Sequence, residues 1–221
     1  MAAGFPVVAT TSGGVAEALG YHDHEGAPAE EMLAAAARIT RGVDVPVTVD
    51  AEAGYGMEPV ELVAALRSAG AAGCNLEDSD HAAGHLRDPD RQAEWLSAVR
   101  HAASENDYRL VINARVDVFL GPFFADGRPG TQAELVPEAL RRANSYFEAG
   151  VDCVYPIALW ESDPLRQFIS EVHGPVNVIR LPQTPSLTTL AALGVARISW
   201  ASLLYREAMA RFEDQLASLQ A

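Results

Sequence analysis

Val45-Pro-Val-Thr-Val-Asp50, a glycine-rich turn through Gly54-Tyr55-Gly56, a helix opening on Pro59 and stopping near Ala69-Gly70, then Gly73-Cys-Asn-Leu-Glu-Asp78: the fold turns on this stretch. Two short apolar runs flank one helix. That is the pattern of a parallel βαβ unit, because parallel neighbours need a crossover. Proline suits an early helix position, where its missing N–H leaves no bond unmade.

The same alternation repeats on both sides. Strands are expected over residues 5–10, 45–50, 73–78, 109–115, 151–157, 176–181 and 195–199. Helices are expected over 28–40, from 59 to about 69, around Trp95 and Val99, and over 133–149, 163–173, 186–193 and 202–219. A loop holding Gly121, Asp126-Gly127 and Pro129-Gly130 precedes the helix at 133. Seven strands, each followed by a helix, fit an α/β (β/α)8 TIM-type barrel better than an open doubly wound sheet. No Gly-x-Gly-x-x-Gly follows the first strand, which speaks against dinucleotide binding. The count is one strand short, and Ala2-Ala-Gly-Phe5 reads as the end of a helix already under way. The whole chain, 1–221, is expected to be one barrel domain.

Composition narrows the function. A net charge of -14 excludes a nucleic-acid or anionic-membrane surface, since both need clustered cations. No apolar run approaches the roughly 18 residues of a membrane span, and no basic-then-apolar leader opens the sequence. Cys74 and Cys153 lie far apart inside apolar runs and read as buried reduced thiols. A cytoplasmic protein is the expectation.

In a barrel the C-terminal strand ends meet at one mouth. That mouth would collect Ser12 and Gly13, Asp50 and Glu52, Asn75 with Glu77 and Asp78, Asn113 with Arg115 and Asp117, Tyr155, and Asn177. Residues two apart on a strand share a face, so Asp50 and Glu52 aim at one point if the extended backbone persists. Crowded carboxylates repel unless a cation neutralises them. Mg2+ prefers oxygen ligands and keeps several waters. Arg115 offers a planar fork for a substrate carboxylate, with an ion pair to Asp117 or Glu77 as the structural alternative. Glu77-Asp78 could instead cap the next helix. His81 and His85 stand four apart, as helix-borne zinc ligands would, but a mobile polar loop explains them better. The other histidines read as surface residues.

These motifs resemble the isocitrate lyase and phosphoenolpyruvate mutase superfamily. The resemblance runs from Ala2-Ala-Gly-Phe-Pro-Val-Val-Ala-Thr-Thr-Ser-Gly13 to Gly194-Val-Ala-Arg-Ile-Ser199, with Asp50-Ala-Glu-Ala-Gly-Tyr-Gly56, Asn75-Leu-Glu-Asp-Ser79 and Ile112-Asn-Ala-Arg-Val-Asp117 between them in the family's order. It implies a Mg2+ enzyme (Mn2+ as substitute) that makes or breaks C–C or P–C bonds beside an α-keto acid through an enolate. Carried over residue by residue, Asp50, Glu52 and Glu77 would hold the metal, partly through water. Ser12 and Gly13 would donate to the substrate, Arg115 would clamp its other end, and Asp23 matches a family aspartate near the metal. Asn75, Asn113 and Asn177 join the expected substrate-binding set. A homo-oligomer, tetramer or dimer, with last helices swapped between subunits is implied too. Leu203, Leu204, Met209, Phe212 and Leu216 give that helix an apolar stripe.

The departures are specific. Glu52 stands where many members carry a second Asp. The lyases' Lys-x-Cys-Gly-His loop is replaced by His81-Ala-Ala-Gly-His-Leu-Arg87, and Ile157 stands where methylisocitrate lyases carry a glutamate. A mutase's Lys and Asn loop is not evident. These changes point away from ordinary isocitrate or methylisocitrate cleavage. They point toward a lyase or hydrolase for another small 2-keto or 2-hydroxy (di)carboxylic acid. The alternative is an impaired relative that binds such an acid without turnover.

Overall fold

The computed structural model describes residues 4–121 and 132–219. The expected loop elements at Asp126-Gly127 and Pro129-Gly130 lie outside them. The parallel strands are β1 (Val8–Ala9), β2 (Val47–Asp50), β3 (Gly73–Glu77), β6 (Val111–Val116), β7 (Cys153–Pro156), β8 (Asn177–Ile179) and β9 (Arg197–Ser199). A two-stranded antiparallel hairpin, β4 (Ser79–Asp80) with β5 (His85–Leu86), stands apart from them. Helices follow in turn: α1 (Ser12–Leu19), α2 (Ala29–Arg41), α3 (Pro59–Ser68), α4 (Pro89–Glu105), α5 (Gln132–Glu148), α6 (Ser162–Glu171), α7 (Leu187–Ala192) and α8 (Leu203–Ser218).

The staves run in chain order. β1-β2-β3-β6-β7 form one sheet, the Val154–Val176 bridge joins β7 to the start of β8, and β8 pairs with β9. Every stave pairing is parallel, and a helix follows each one. This curled α/β sheet is the TIM-type architecture, with seven staves among the described residues. Among the described residues β1 and β9 do not pair with each other, so the arc is open on that side. No described helix is long and apolar enough to cross a membrane.

Strand alternation decides where the core sits. Val47 and Val49, Cys74 and Leu76, Ile112, Ala114 and Val116, Val154 and Val178 face outward, where the helices cover them. They meet Leu62 and Leu66 of α3, Leu96 and Val99 of α4, Val136 and Ala143 of α5, and Leu165 and Phe168 of α6. Each such fully buried Leu or Phe contributes about 1.5–3 kcal/mol. The inner face carries the alternate positions: Asp50, Asn75, Glu77, Asn113, Arg115, Cys153, Tyr155 and Asn177. The hydrophobic core therefore lies between sheet and helices, and the lumen is polar.

Two elements depart from the sequence expectation, and the last helix bears on a third. No helix is expected over residues 11–27, yet α1 begins at Ser12, two residues after β1 ends, despite two glycines that lower helix propensity. Residues 79–87 are not simply a polar loop but the β4–β5 hairpin. The helix after it is capped by Asp88, which accepts from the Asp90 and Arg91 N–H groups, so Glu77-Asp78 is not its cap. The last helix, α8, buries no residue; Leu204, Met209, Phe212 and Leu216 are all exposed.

Candidate active site

Asp50 closes β2. Its Oδ2 accepts from the Ser12 N–H at 3.0 Å, which ties the start of α1 to the metal-type strand. Thr10 Oγ1 accepts from the Asp50 N–H at 2.8 Å. Asp50 Oδ1 is buried and has no hydrogen-bond partner among the described residues. The extended backbone does not persist to Glu52, whose φ is +48° in the turn after β2. Glu52 is nonetheless buried at the same mouth, where its Oε2 accepts from the Glu25 N–H. Glu25 closes the loop in return, because its Oε1 accepts from the Tyr55 N–H at 2.6 Å.

Glu77 ends β3 and Arg115 lies opposite it in register on β6. The two are ion-paired through Glu77 Oε2, while Glu77 Oε1 meets His81 Nε2 from the hairpin. Arg115 also donates from Nε to Asp117 Oδ1 at 2.6 Å and from Nη2 to Asp117 Oδ2 at 2.8 Å. One edge of the fork is thus committed to Asp117, and Nη1 makes no hydrogen bond among the described residues. His81 in turn stacks on His24, with ring centroids 5.1 Å apart. The loop at residues 22–25 and the hairpin are thereby joined across the mouth.

Electrostatics follow from burial. Desolvation pushes the Glu52 carboxyl up to about 7, and the nearby Asp23, Asp50 and Glu77 charges add to the rise. Glu77 is also pushed up to about 7 by burial, against the pull of Arg115 and His81. The bond to Glu77 raises the His81 imidazole. Asp78, next in sequence, faces away and serves the framework. Its Oδ1 accepts from the Asp117 N–H at 2.8 Å, and its Oδ2 accepts from Tyr146 at 2.7 Å and Arg142 at 3.1 Å.

This donor set fits a hard divalent cation. Three acidic side chains are oxygen donors, two of them hold raised carboxyls, and Asp50 Oδ1 is buried without a partner. Among the described residues no three His, Cys, Asp or Glu side chains reach direct-ligand spacing. An ion here would therefore be shared partly through its own waters, as Mg2+ tolerates. A cavity of about 390 Å3 opens beside the cluster, walled by His24, His81 and Asp117 and, on its apolar side, by Leu86, Val118 and Leu120.

The other expected residues fall as follows. Gly13 lies against Asp23: a Cβ there would come within 2.8 Å of Asp23 Oδ2, so the glycine permits that close approach. Asn75 Oδ1 accepts from Asn113 Nδ2 at 2.8 Å, while Asn113 Oδ1 and both polar side-chain atoms of Asn177 are buried without partners among the described residues. Sequence reasoning missed Glu25 and the His24–His81 stack. The only advance signal was a polar cluster, residues 22–25, after Leu19-Gly20-Tyr21.

Comparison with known proteins bears on what this mouth does. A family model for phosphoenolpyruvate phosphomutase matches residues 1–220. The chain belongs to that family. A solved structure from Burkholderia cenocepacia J2315, provisionally assigned as a phosphonomutase, superimposes with a TM-score of 0.89 at 40% identity, covering 98% of this chain and 87% of that one. An uncharacterised Mycobacterium tuberculosis protein is 31% identical over 93% of this chain and 73% of its own length. The 2-methylisocitrate lyase of Escherichia coli K12 is 30% identical over 85% of this chain and 63% of the lyase. Membership of the phosphoenolpyruvate phosphomutase family, with lyases among its relatives, makes the chain an enzyme of the lyase or mutase type.

Proposed function

We propose that the chain is a Mg2+-dependent lyase or hydrolase for a small 2-keto or 2-hydroxy (di)carboxylic acid. The observation that carries this is three carboxylates at the C-terminal mouth beside Arg115: Glu52 and Glu77, both buried, and the half-buried Asp50, whose Oδ1 has no partner among the described residues. Bound Mg2+, or Mn2+, supplies Lewis-acid stabilisation of the charge that develops on the keto oxygen. Asp50 orients the Ser12 N–H and so fixes the first turn of α1, where Ser12 and Gly13 would meet the substrate. Asp117 holds the Arg115 fork, leaving its Nη1 edge for a substrate carboxylate. Asp23, packed against Gly13, is the carboxylate placed to exchange a proton near the reacting carbon. Asn75 and Asn113 line the lumen below. Such preorganised donors account for the largest part of many enzymes' rate gain.

The whole chain fits the same picture. It is one barrel domain, placed in the cytoplasm in keeping with two free buried thiols, and it works as a homo-oligomer whose subunits cover the apolar stripe of α8.

The test is a panel of 2-keto and 2-hydroxy acids assayed for product release with Mg2+ or with chelator. Turnover of at least one acid, lost in chelator and reduced about 100-fold or more in Asp50→Ala and Arg115→Ala, is the expected result. Turnover unaffected by either substitution overturns the proposal. The cysteine-free loop, residues 81–87, favours one second reading: a relative that binds such an acid without turnover. Stabilisation by oxalate plus Mg2+ in a thermal melt, with no product from any acid, would select it.

A further inference from the structure

A second cavity, of about 560 Å3, opens between the β4–β5 hairpin and the first turns of α4. That is room for a small-molecule ligand. Asp80 and His85 line this cavity and the smaller one beside Glu77 alike, so the hairpin is their common wall. Arg87, Arg91 and Trp95 also line it, and the function proposed above uses none of the three. The chain carries a net charge of -14, which repels anions at long range, so an anion would be retained only where cations are gathered locally.

The two arginines are gathered there and hardly spent. Arg87 lies over the Trp95 ring, 5.7 Å from its centroid. Such a stack orients a guanidinium through its face and leaves the N–H groups at its edge open. One of them makes a long bond, Nη1 to Gln92 Oε1 at 3.3 Å. The Arg91 side chain makes no hydrogen bond or ion pair among the described residues, although its backbone N–H is held by Asp88. The carboxylates of the cavity are engaged elsewhere. Asp88 Oδ1 accepts from the Asp90 and Arg91 N–H groups, and Asp80 Oδ1 accepts from the Ala83 N–H at 2.8 Å. The start of α4 is thus already capped, and what stays open is two guanidinium forks, the complement of an oxyanion. Gln92 carries the arrangement inward. It is buried, and its Nε2 donates to the Glu77 carbonyl at 3.1 Å while its Oε1 receives Arg87. One side chain therefore joins the cavity to the strand end that bears Glu77.

We propose that this cavity is an effector site for a small oxyanion, a phosphate or a carboxylate gripped by Arg87 and Arg91, and that Gln92 relays its occupation to Glu77. The anion draws the Arg87 fork off Gln92, Gln92 slackens its hold on the Glu77 backbone, and Mg2+ at the mouth binds more weakly. The relay rests on the function proposed above. The anion site does not, because neither arginine belongs to the mouth.

Calorimetry on the whole chain tests both parts, with inorganic phosphate and succinate as the probes. In chelator at least one of them should bind, weakened about fivefold or more by Arg91→Ala and about threefold or more by Arg87→Lys, which keeps the charge and loses the fork. Arg91 is exposed, so its variant decides the matter if the Arg87 variant fails to fold. Phosphate alone responding assigns a phosphate-bearing effector; succinate alone responding assigns a carboxylate. With the responding anion present, Mg2+ should bind about fivefold more weakly, and Gln92→Met, which keeps the volume and removes both bonds, should retain the anion and abolish that shift. Neither probe bound in chelator, or binding indifferent to both arginine variants, overturns the site. An anion bound with Mg2+ affinity unmoved, or a Mg2+ shift that survives Arg91→Ala, overturns the relay. Absence of Mg2+ binding by the wild-type chain overturns the parent reading and the relay with it, while the chelator measurements still decide the anion site.

Discussion

Asp78 shows how one buried carboxylate can hold a site without entering it. It receives Tyr146, Arg142 and the Asp117 N–H, and Asp117 then holds Arg115. Removing it takes the buried counter-charge from Arg142, which keeps only the partly exposed Glu138, and leaves the Tyr146 hydroxyl and the Asp117 N–H without their acceptor. Asp78→Ala should therefore cost about 3–5 kcal/mol in urea unfolding, against about 1–2 for Tyr146→Phe, which removes one bond and keeps the packing. The two raised carboxyls give a second prediction. Glu52 and Glu77 titrate near 7 when folded and near their ordinary 4.5 when unfolded. The folded chain thus binds more protons between those values, and their contribution to stability is lost as pH rises through about 7. In chelator, unfolding free energy should fall from pH 6 to pH 8, by at most about 1.4 kcal/mol per pH unit for each group. Added Mg2+ should flatten that slope, because it binds the deprotonated forms; a slope rising with pH in chelator would contradict the assignment. At this scale the sequence placed carboxylates and arginine at strand ends, and the structure puts those ends at one mouth. It was silent on partnerships. Whether the Arg115 fork is free or spent depends on bonds of under 3 Å that spacing does not encode. Glu25 reaches Glu52 through a left-handed backbone at φ +57° that no glycine announces.

Between elements, the contact that matters most is α4 against the turn after β2. A Cβ on Gly54 would come within 2.7 Å of the Trp95 ring, and φ there is +90°. The indole packs on the backbone that carries Glu52, and the Arg87 guanidinium covers the ring 5.7 Å from its centroid. Gly54→Ala should destabilise by about 2–4 kcal/mol, combining strain and overpacking. Adding Trp95→Leu should recover the overpacking part alone, so a double-mutant cycle will show coupling of about 1 kcal/mol or more; strict additivity would refute the contact. Staves and their helices were legible, since periods of 2 and 3.6 alternate cleanly along the chain. Two elements were not. α1 hides because its Ser-Gly-Gly opening carries turn signals, and it is held by the Asp50 bond to Ser12, 38 residues away. The β4–β5 pair is too short for its alternation to register.

Across the whole molecule, α8 begins with Leu203 packed on the Tyr155–Ile179–Leu181 cluster, and then carries Leu204, Met209, Phe212 and Leu216 in solvent. The sequence marked that stripe but not what it meets, because amphipathicity names a face and never a partner. If copies of the chain cover it, Phe212→Glu with Leu216→Glu should lower the mass seen in sedimentation velocity by at least half, with the barrel's circular dichroism unchanged. An unchanged mass would assign the stripe elsewhere. The polar lumen has a different reach. The apolar contacts that keep this molecule folded lie outside the sheet, while the groups that would meet a ligand lie inside it, on alternate residues of the same strands. Heritable change on one side therefore leaves the other nearly untouched. A lineage can exchange lumen residues while the helices keep their packing on the other side of the sheet: the inner face is where such a protein is free to become a different enzyme.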